Sequence, residues 1–442
     1  MNRKRQLKLG AFLWPTGHHI AAWRHPDAPA DAGISFQHFV EVAHIAERGL
    51  FDMLFFADQA AIFQDSRENL GRTSYLVRIE PFALLSALAT VTQTIGLVCT
   101  ATTTYDEPYH IARRFASLDL ISGGRSGWNV VTSANPAEAR NFNREAHVEH
   151  DERYRRAWEF VDVVKGLWDS WDDDAFVRDK QSGQYVDPDK MHVLDHAGKY
   201  FRVQGPLNVS RSPQGQPVIV QAGSSEAGKG LASGVADVVF TAHQTLANAQ
   251  AFYNDIKSRA DRHGRNPDHV KVMPGVFVTV GRSEQEAQEK YQKLQSLIDP
   301  RIALTHLSTF IKFDLSKYPF DGPVPDLPES VTVSSRPAML LKYAREENLT
   351  IRQLAIHIAG SRGHWNLVGT AAQIGDRLEE WFTKGGADGF NYMPPLLPGS
   401  LDDFATLVVP ELQRRGLFRR QYEGRTLRDN LGLPFAQSRF QA

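Results

Sequence analysis

The sequence predicts an α/β chain closed into a (β/α)₈ barrel with insertions. Strand-length apolar runs recur along it, segments of helical periodicity follow them, and polar side chains collect at the carboxyl ends of the runs. The runs, rich in Val, Ile and Phe, lie at 8–14 (KLGAFLW), 51–58 (FDMLFFAD), 95–103 (IGLVCTATT), 126–132 (SGWNVVT), 217–223, 236–242 (ADVVFTA), 270–281 (VKVMPGVFVTVG) and 387–393 (ADGFNYM). Helical spacing of apolar residues follows, for example at 36–49, 81–93, 153–171, 246–264 and 400–416. Near-continuous apolar strands alternating with amphipathic helices imply a parallel sheet covered by helices. Eight such units favour closure into a barrel over an open sheet.

Two stretches break the rhythm, so the expected organisation is a single barrel domain over 1–416 with insertions at about 172–216 and 299–368, then a tail at 417–442. The first insertion is polar and rich in turn residues, then carries HAGKYFRVQGPLNVSRSPQGQP, which reads as a short hairpin. The second holds clustered prolines and a helical segment, and is the candidate lid. The basic, weakly apolar tail is expected at the surface or in subunit packing.

With 442 residues, 42% of them hydrophobic, the chain can bury a large core. Lys and Arg (50) nearly cancel Asp and Glu (51), so no general field draws it to nucleic acid or an anionic membrane. The expected partner is a small molecule. Cys99 is the single cysteine and lies in an apolar run, which leaves no internal disulfide framework or cysteine zinc site. The basic start MNRKRQLKLGAFLW is read as a first strand rather than a signal segment, and no run approaches the ~20 apolar residues of a membrane span. A cytoplasmic protein is expected.

In such a barrel, function sits where strands end and the following loops begin. Asp58 closes the second run; Thr100, Thr102, Thr103 and Thr104 close the third; Asn129, Thr132 and Ser133 the fourth; Gln221, Ser224 and Ser225 the fifth. Strand alternation puts Thr100, Thr102 and Thr104 on one face. Neutral hydroxyls and amides with one carboxylate suit a planar heterocycle better than a divalent metal, which wants converging carboxylates or histidines.

The stretch PVIVQAGSSEAGKG (217–230) reads as strand, glycine-serine turn and helix, a ready anion seat. Gly223, Gly228 and Lys229 fall at triphosphate-loop spacing, but Gly230 stands where a magnesium-binding Ser or Thr is needed. In EHDERY (149–154), His150 and Tyr154 lie four residues apart on one face of a helix start, where both can donate to an anion. The loop WPTGHHIAAWRHP (14–26) concentrates His18, His19, Arg24 and His25 without zinc-binding spacing; Arg24 can clamp a carboxylate. No G-x-G-x-x-G follows a strand, so nicotinamide is not expected through a Rossmann unit.

Together TGHHIAAWRHP, TATTTYDEPYHIARRFASLDLISGGRSGWNVVTS (100–133), EHDERY and QAGSSEAG resemble the nitrilotriacetate monooxygenase component A group of bacterial-luciferase-like flavin monooxygenases. That group also holds the dibenzothiophene sulfone, EDTA and long-chain alkane enzymes. The resemblance runs from the first strand to about Gly416. It implies a TIM-barrel enzyme that takes reduced FMN from a separate NAD(P)H:flavin reductase and uses dioxygen (O2) to oxygenate a substrate. Carried onto this chain, Asp58, Thr100, Thr104 and Asn129 would lie near the isoalloxazine and ribityl parts, while His150, Tyr154, Ser224 and Ser225 would hold the 5′-phosphate. His18 and His19 are then candidates for steering or protonating oxygen, and Arg24 for the substrate. The group's alkane enzyme has a cysteine in the N-terminal loop; here WPTGHH has none, which points to a polar substrate and C–N or C–S cleavage. A long-chain alkane or sulfone substrate, or a flavin-binding protein without turnover, is the alternative. Relatives commonly form homodimers or homotetramers.

Overall fold

The computed structural model describes residues 5–62, 67–311, 313–327, 341 and 344–441. Its strands are β1 (Lys8–Phe12), β2 (Met53–Phe56), β3 (Gly96–Thr102), β4 (Ser126–Val131), β5 (His196–Ala197), β6 (Arg202–Val203), β7 (Val218–Gln221), β8 (Val238–Thr241), β9 (Lys271–Gly281), β10 (Trp365–Thr370) and β11 (Gly389–Tyr392). All pairings but β5–β6 are parallel, and the order β1-β2-β3-β4-β7-β8-β9-β11 returns to β1. The result is a closed eight-stranded barrel, built from the eight apolar runs of the sequence.

Closure leaves two apolar layers. One lies between strands and helices and takes in Cys99, whose thiol burial pushes to a higher pKa. The other fills the cylinder with Phe12, Met53, Phe55, Val98, Val220 and Met273. These alternate with outward residues along their strands, as a two-residue repeat requires.

The structure departs from the sequence reading in two places. β10 lies at the end of the stretch read as the second insertion, and pairs with the part of β9 from Val276 to Gly281 that runs beyond the barrel rim. Its residues alternate buried and half-buried, and its Asn and Gly weaken the apolar run that marks the other strands. The tail, expected at the surface, instead closes the barrel floor: Leu427 and Leu431 are fully buried within the interior layer. A Cβ at Gly96 would come within 2.4 Å of a Leu427 methyl, and one at Gly127 within 3.4 Å, so glycines at two strand starts make room for the plug. Arg419 pairs with buried Asp52, and Arg428 with Asp237 at 2.9 Å, fixing the tail at both ends.

The expected hairpin is β5–β6, on the outside of the barrel. In the second insertion, helices Pro300–Ile311 and Ile351–Ser361 pack together around a core of their own, joined by Ile20 and Ala21 of the N-terminal loop. Among the described residues no helix is long and apolar enough to cross a membrane.

Candidate active site

At the carboxyl rim a cavity of about 570 Å³ opens between the ends of β2, β3, β4 and β7. Thr100 and Thr102 form part of its wall, Asp58 and Thr309 lie at one end, and Tyr154 and Gln221 line it as well. Thr100 Oγ1 spends its proton on the Phe56 carbonyl at 3.2 Å and accepts from Asn129 Nδ2 at 2.7 Å. That fixes the Asn129 amide, leaving its buried Oδ1 without a partner among the described residues. Asn129 is not itself on the cavity wall, but its partner Thr100 is, and an orphaned buried acceptor one residue behind that wall can take a ligand N–H only if the wall opens to it.

Thr102 has a different role. Its hydroxyl pairs with Ser133 Oγ at 2.9 Å, and Ser133 donates to buried Glu138 at 2.8 Å. Glu138, which the sequence reading did not single out, sits in a short helix (Glu138–Asn141) with nothing in its local pattern to mark it. Thr104 is buried and donates to the Thr132 carbonyl at 2.8 Å; it does not line the cavity, because β3 ends at Thr102 and the alternation ends with it.

The turn after β7 brings four of the expected residues into one neighbourhood. Ser225 caps the helix Glu226–Val235, accepting from Gly228 N at 3.1 Å. Its hydroxyl lies 3.5 Å from His150 Nε2, and the His150 and Tyr154 rings are 4.9 Å apart. Ser224 is exposed beside it. Gly223 and Gly228 pass so closely that a Cβ on Gly228 would sit 2.9 Å from Gly223 Cα and 3.1 Å from the Tyr154 hydroxyl. Lys229 turns away, pairing with Asp255 at 2.7 Å and Glu226 at 2.5 Å. The triphosphate reading therefore lacks its lysine as well as its magnesium ligand. What remains is a helix start with Ser224, Ser225, an imidazole and a phenol gathered beside it.

A second cavity, about 290 Å³, shares Asp58, Gln59 and Thr309 with the first. Trp14, Tyr75, Arg78, His306 and Arg362 line it. Arg78 pairs with Asp58 at 2.6 Å, so the carboxylate expected near the heterocycle also anchors this wall. Tyr75 Oη lies 2.6 Å from His306 Nε2. Burial first, then the nearby Arg362 charge, lowers His306 to about 3, so it is neutral at physiological pH. The sequence reading took the Trp14 loop and the second insertion into account but did not single out Tyr75, Arg78, His306 or Arg362; the last two come from the insertion, where helical spacing is the only local signal.

The histidine-rich loop behaves differently from expectation. His18 is buried, with Nε2 at 2.9 Å from the Phe12 carbonyl and its ring edge-on to Phe12 and Phe277, next to the second cavity but not on its wall. Burial drives its pKa well down. His19 reaches Gln295 at 3.4 Å and is lowered by burial to about 4. Arg24 donates to the Leu297 carbonyl. His19 and Arg24 tie the loop to the helix Glu284–Ser296 and the turn after it, and line neither cavity.

Residues 12–389 match the family model described as luciferase-like monooxygenase. The chain belongs to the luciferase-like monooxygenase family. Within it the chain is 53% identical to N-acetyl-S-(2-succino)cysteine monooxygenase of Bacillus subtilis (strain 168), over 99% of both proteins. It is 50% identical to nitrilotriacetate monooxygenase component A of Aminobacter aminovorans, over 98% of both. A crystal structure of a riboflavin lyase with modified FMN and riboflavin superposes with TM-score 0.83 at 33% identity, covering 97% of this chain and 96% of the other. This family member is an oxidoreductase, an FMNH2-dependent monooxygenase on a luciferase-like TIM barrel.

Proposed function

We propose that the chain is the oxygenase of a two-component system, taking reduced FMN from a separate NAD(P)H:flavin reductase and oxygenating a small polar molecule at a C–S or C–N bond. The observation that carries this reading is the pair of adjoining cavities that share Asp58, Gln59 and Thr309: a larger one that reaches Tyr154 and the end of β7, next to the Ser225–His150 turn, and a smaller one lined by aromatic and cationic groups. The first fits FMN chemically. The orphaned Asn129 Oδ1 can accept the heterocycle's N–H where the wall at Thr100 opens to it, while Ser224, Ser225, His150 and Tyr154 supply donors for a phosphate monoester. Thr100 and Asp58 would lie along the ring and ribityl portions. Bound reduced flavin supplies the activation of dioxygen.

The chain's own part is position and exclusion of water. The Asp58–Arg78 pair holds the shared wall between the cavities, and the helix Pro300–Ile311 covers the smaller one through Ile302, Thr305 and His306. His306 and Tyr75 share a hydrogen bond there, a neutral pair able to hold or pass a proton to substrate. A guanidinium, an imidazole and a phenol in so small a space favour a polar substrate over a long alkane. The relatives named for N-acetyl-S-(2-succino)cysteine and nitrilotriacetate support the same choice.

The test combines the chain with a flavin reductase, NADH, FMN and either of those two compounds. Oxygen uptake above the substrate-free background, with one atom of labelled dioxygen in the product, is the expected result. Uptake indifferent to every thioether and amine offered would defeat the proposal.

A further inference from the structure

Among the described residues, Arg362 is the cation of the smaller cavity without a counter-charge. It lies at the end of the helix Ile351–Ser361, wedged between Trp14 and Tyr75 with its guanidinium carbon 5.1 and 5.0 Å from the two ring centroids. Its Nε donates to the His18 carbonyl at 3.1 Å, which orients the planar group and leaves the two Nη atoms for other partners. Among the described residues it forms no ion pair, whereas Arg78 on the same wall is matched by Asp58. Besides Tyr75, the titratable side chains near it include His18, His19 and His306, which burial holds neutral, so these three add no charge of their own to the site.

The backbone adds a second, independent observation. Arg362 sits at φ 52° and ψ 29°, the left-handed region that a helix end gives most cheaply to glycine. Arg362 is the C-cap of that helix, and a long charged side chain kept in this conformation also lines a cavity. An unpaired guanidinium fixed by two aromatic faces is pre-organised for a two-pronged grip on a carboxylate.

We infer that Arg362 is the specificity-determining residue that selects a carboxylate on the substrate, in place of Arg24, which lines neither cavity. This inference rests on the smaller cavity being the substrate site of the proposed monooxygenase. It narrows the substrate class to carboxylated thioethers or amines whose anionic group lies a few bonds from the oxygenated atom.

The experiment measures binding of N-acetyl-S-(2-succino)cysteine and of its methyl ester by calorimetry, on the full chain with and without FMN. Wild type is compared with Arg362→Gly, whose backbone suits the left-handed position, and with Arg362→Lys. Arg362→Gly should bind the acid about 10- to 100-fold more weakly, the size of a lost charge-assisted contact, and the ester within about 2-fold of wild type. Arg362→Lys should recover part of the loss. Equal weakening of acid and ester, or acid binding unchanged in Arg362→Gly, would overturn the inference, as would failure of wild type to bind the acid. Turnover separates this result from the broader reading. Oxygenation that is indifferent to Arg362 removes the clamp and keeps the monooxygenase; acid binding that depends on Arg362 without any oxygenation does the reverse.

Discussion

At the scale of single residues, side chains of similar type part company according to what they must satisfy. Thr100 and Asn129 satisfy each other and leave one acceptor unpaired, whereas Thr104, two positions past the end of β3, is absorbed by a neighbouring carbonyl. The buried imidazoles have a cost that acid should expose. Against an ordinary 6.5, burial lowers His19 to about 4 and His306 to about 3. Their folded pKa lies below the unfolded one, so their contribution to stability is complete above about pH 6.5 and is lost as pH falls toward those lowered values. Each adds a slope of at most ~1.4 kcal/mol per pH unit in that window. Urea midpoints should therefore drop between pH 7.5 and pH 5.0, and His19→Gln should flatten the drop. A midpoint that rose on acidification would contradict the neutral assignment.

At the scale of elements, legibility followed locality. All eight barrel strands were readable because a strand covered on both faces must be apolar along its length. The strand-turn-helix after β7 was readable because strand, glycine, serine and helix follow one another within a few residues, and the structure adds why two of its glycines matter: Gly223 and Gly228 are nearly in contact. β10 was missed because it extends past the rim, where one face is only half covered. The wall of the smaller cavity was illegible for a different reason. Trp14, Tyr75, His306 and Arg362 are far apart in the chain and individually ordinary, and only packing of the second insertion brings them together. Arg24 and His19 drew attention by crowding into one loop, yet that crowding serves to fasten the loop to the helix Glu284–Ser296 and the turn after it.

For the whole molecule, the barrel works as a scaffold sealed at one end and open at the other. The tail plugs the floor with Leu427 and Leu431, and the rim carries the joined cavities. Leu427→Ala should cost roughly 2–5 kcal/mol, because glycines at the strand starts cannot collapse to fill the void. Denaturant unfolding would show it, with FMN affinity within about 2-fold of wild type; a loss under about 0.5 kcal/mol would mean the tail only rests on the surface. The opposite end is where the functional reading stands or falls, and its core is that a phosphate monoester is gripped at the helix start beside Ser225, His150 and Tyr154. The most direct measurement is calorimetry of FMN against riboflavin, in wild type and in Tyr154→Phe. Riboflavin, lacking the phosphate, should bind at least about 10-fold more weakly than FMN to wild type, and the variant should narrow that ratio. Equal affinity for the two flavins in wild type, or a ratio untouched in the variant, would place the phosphate elsewhere and contradict the site.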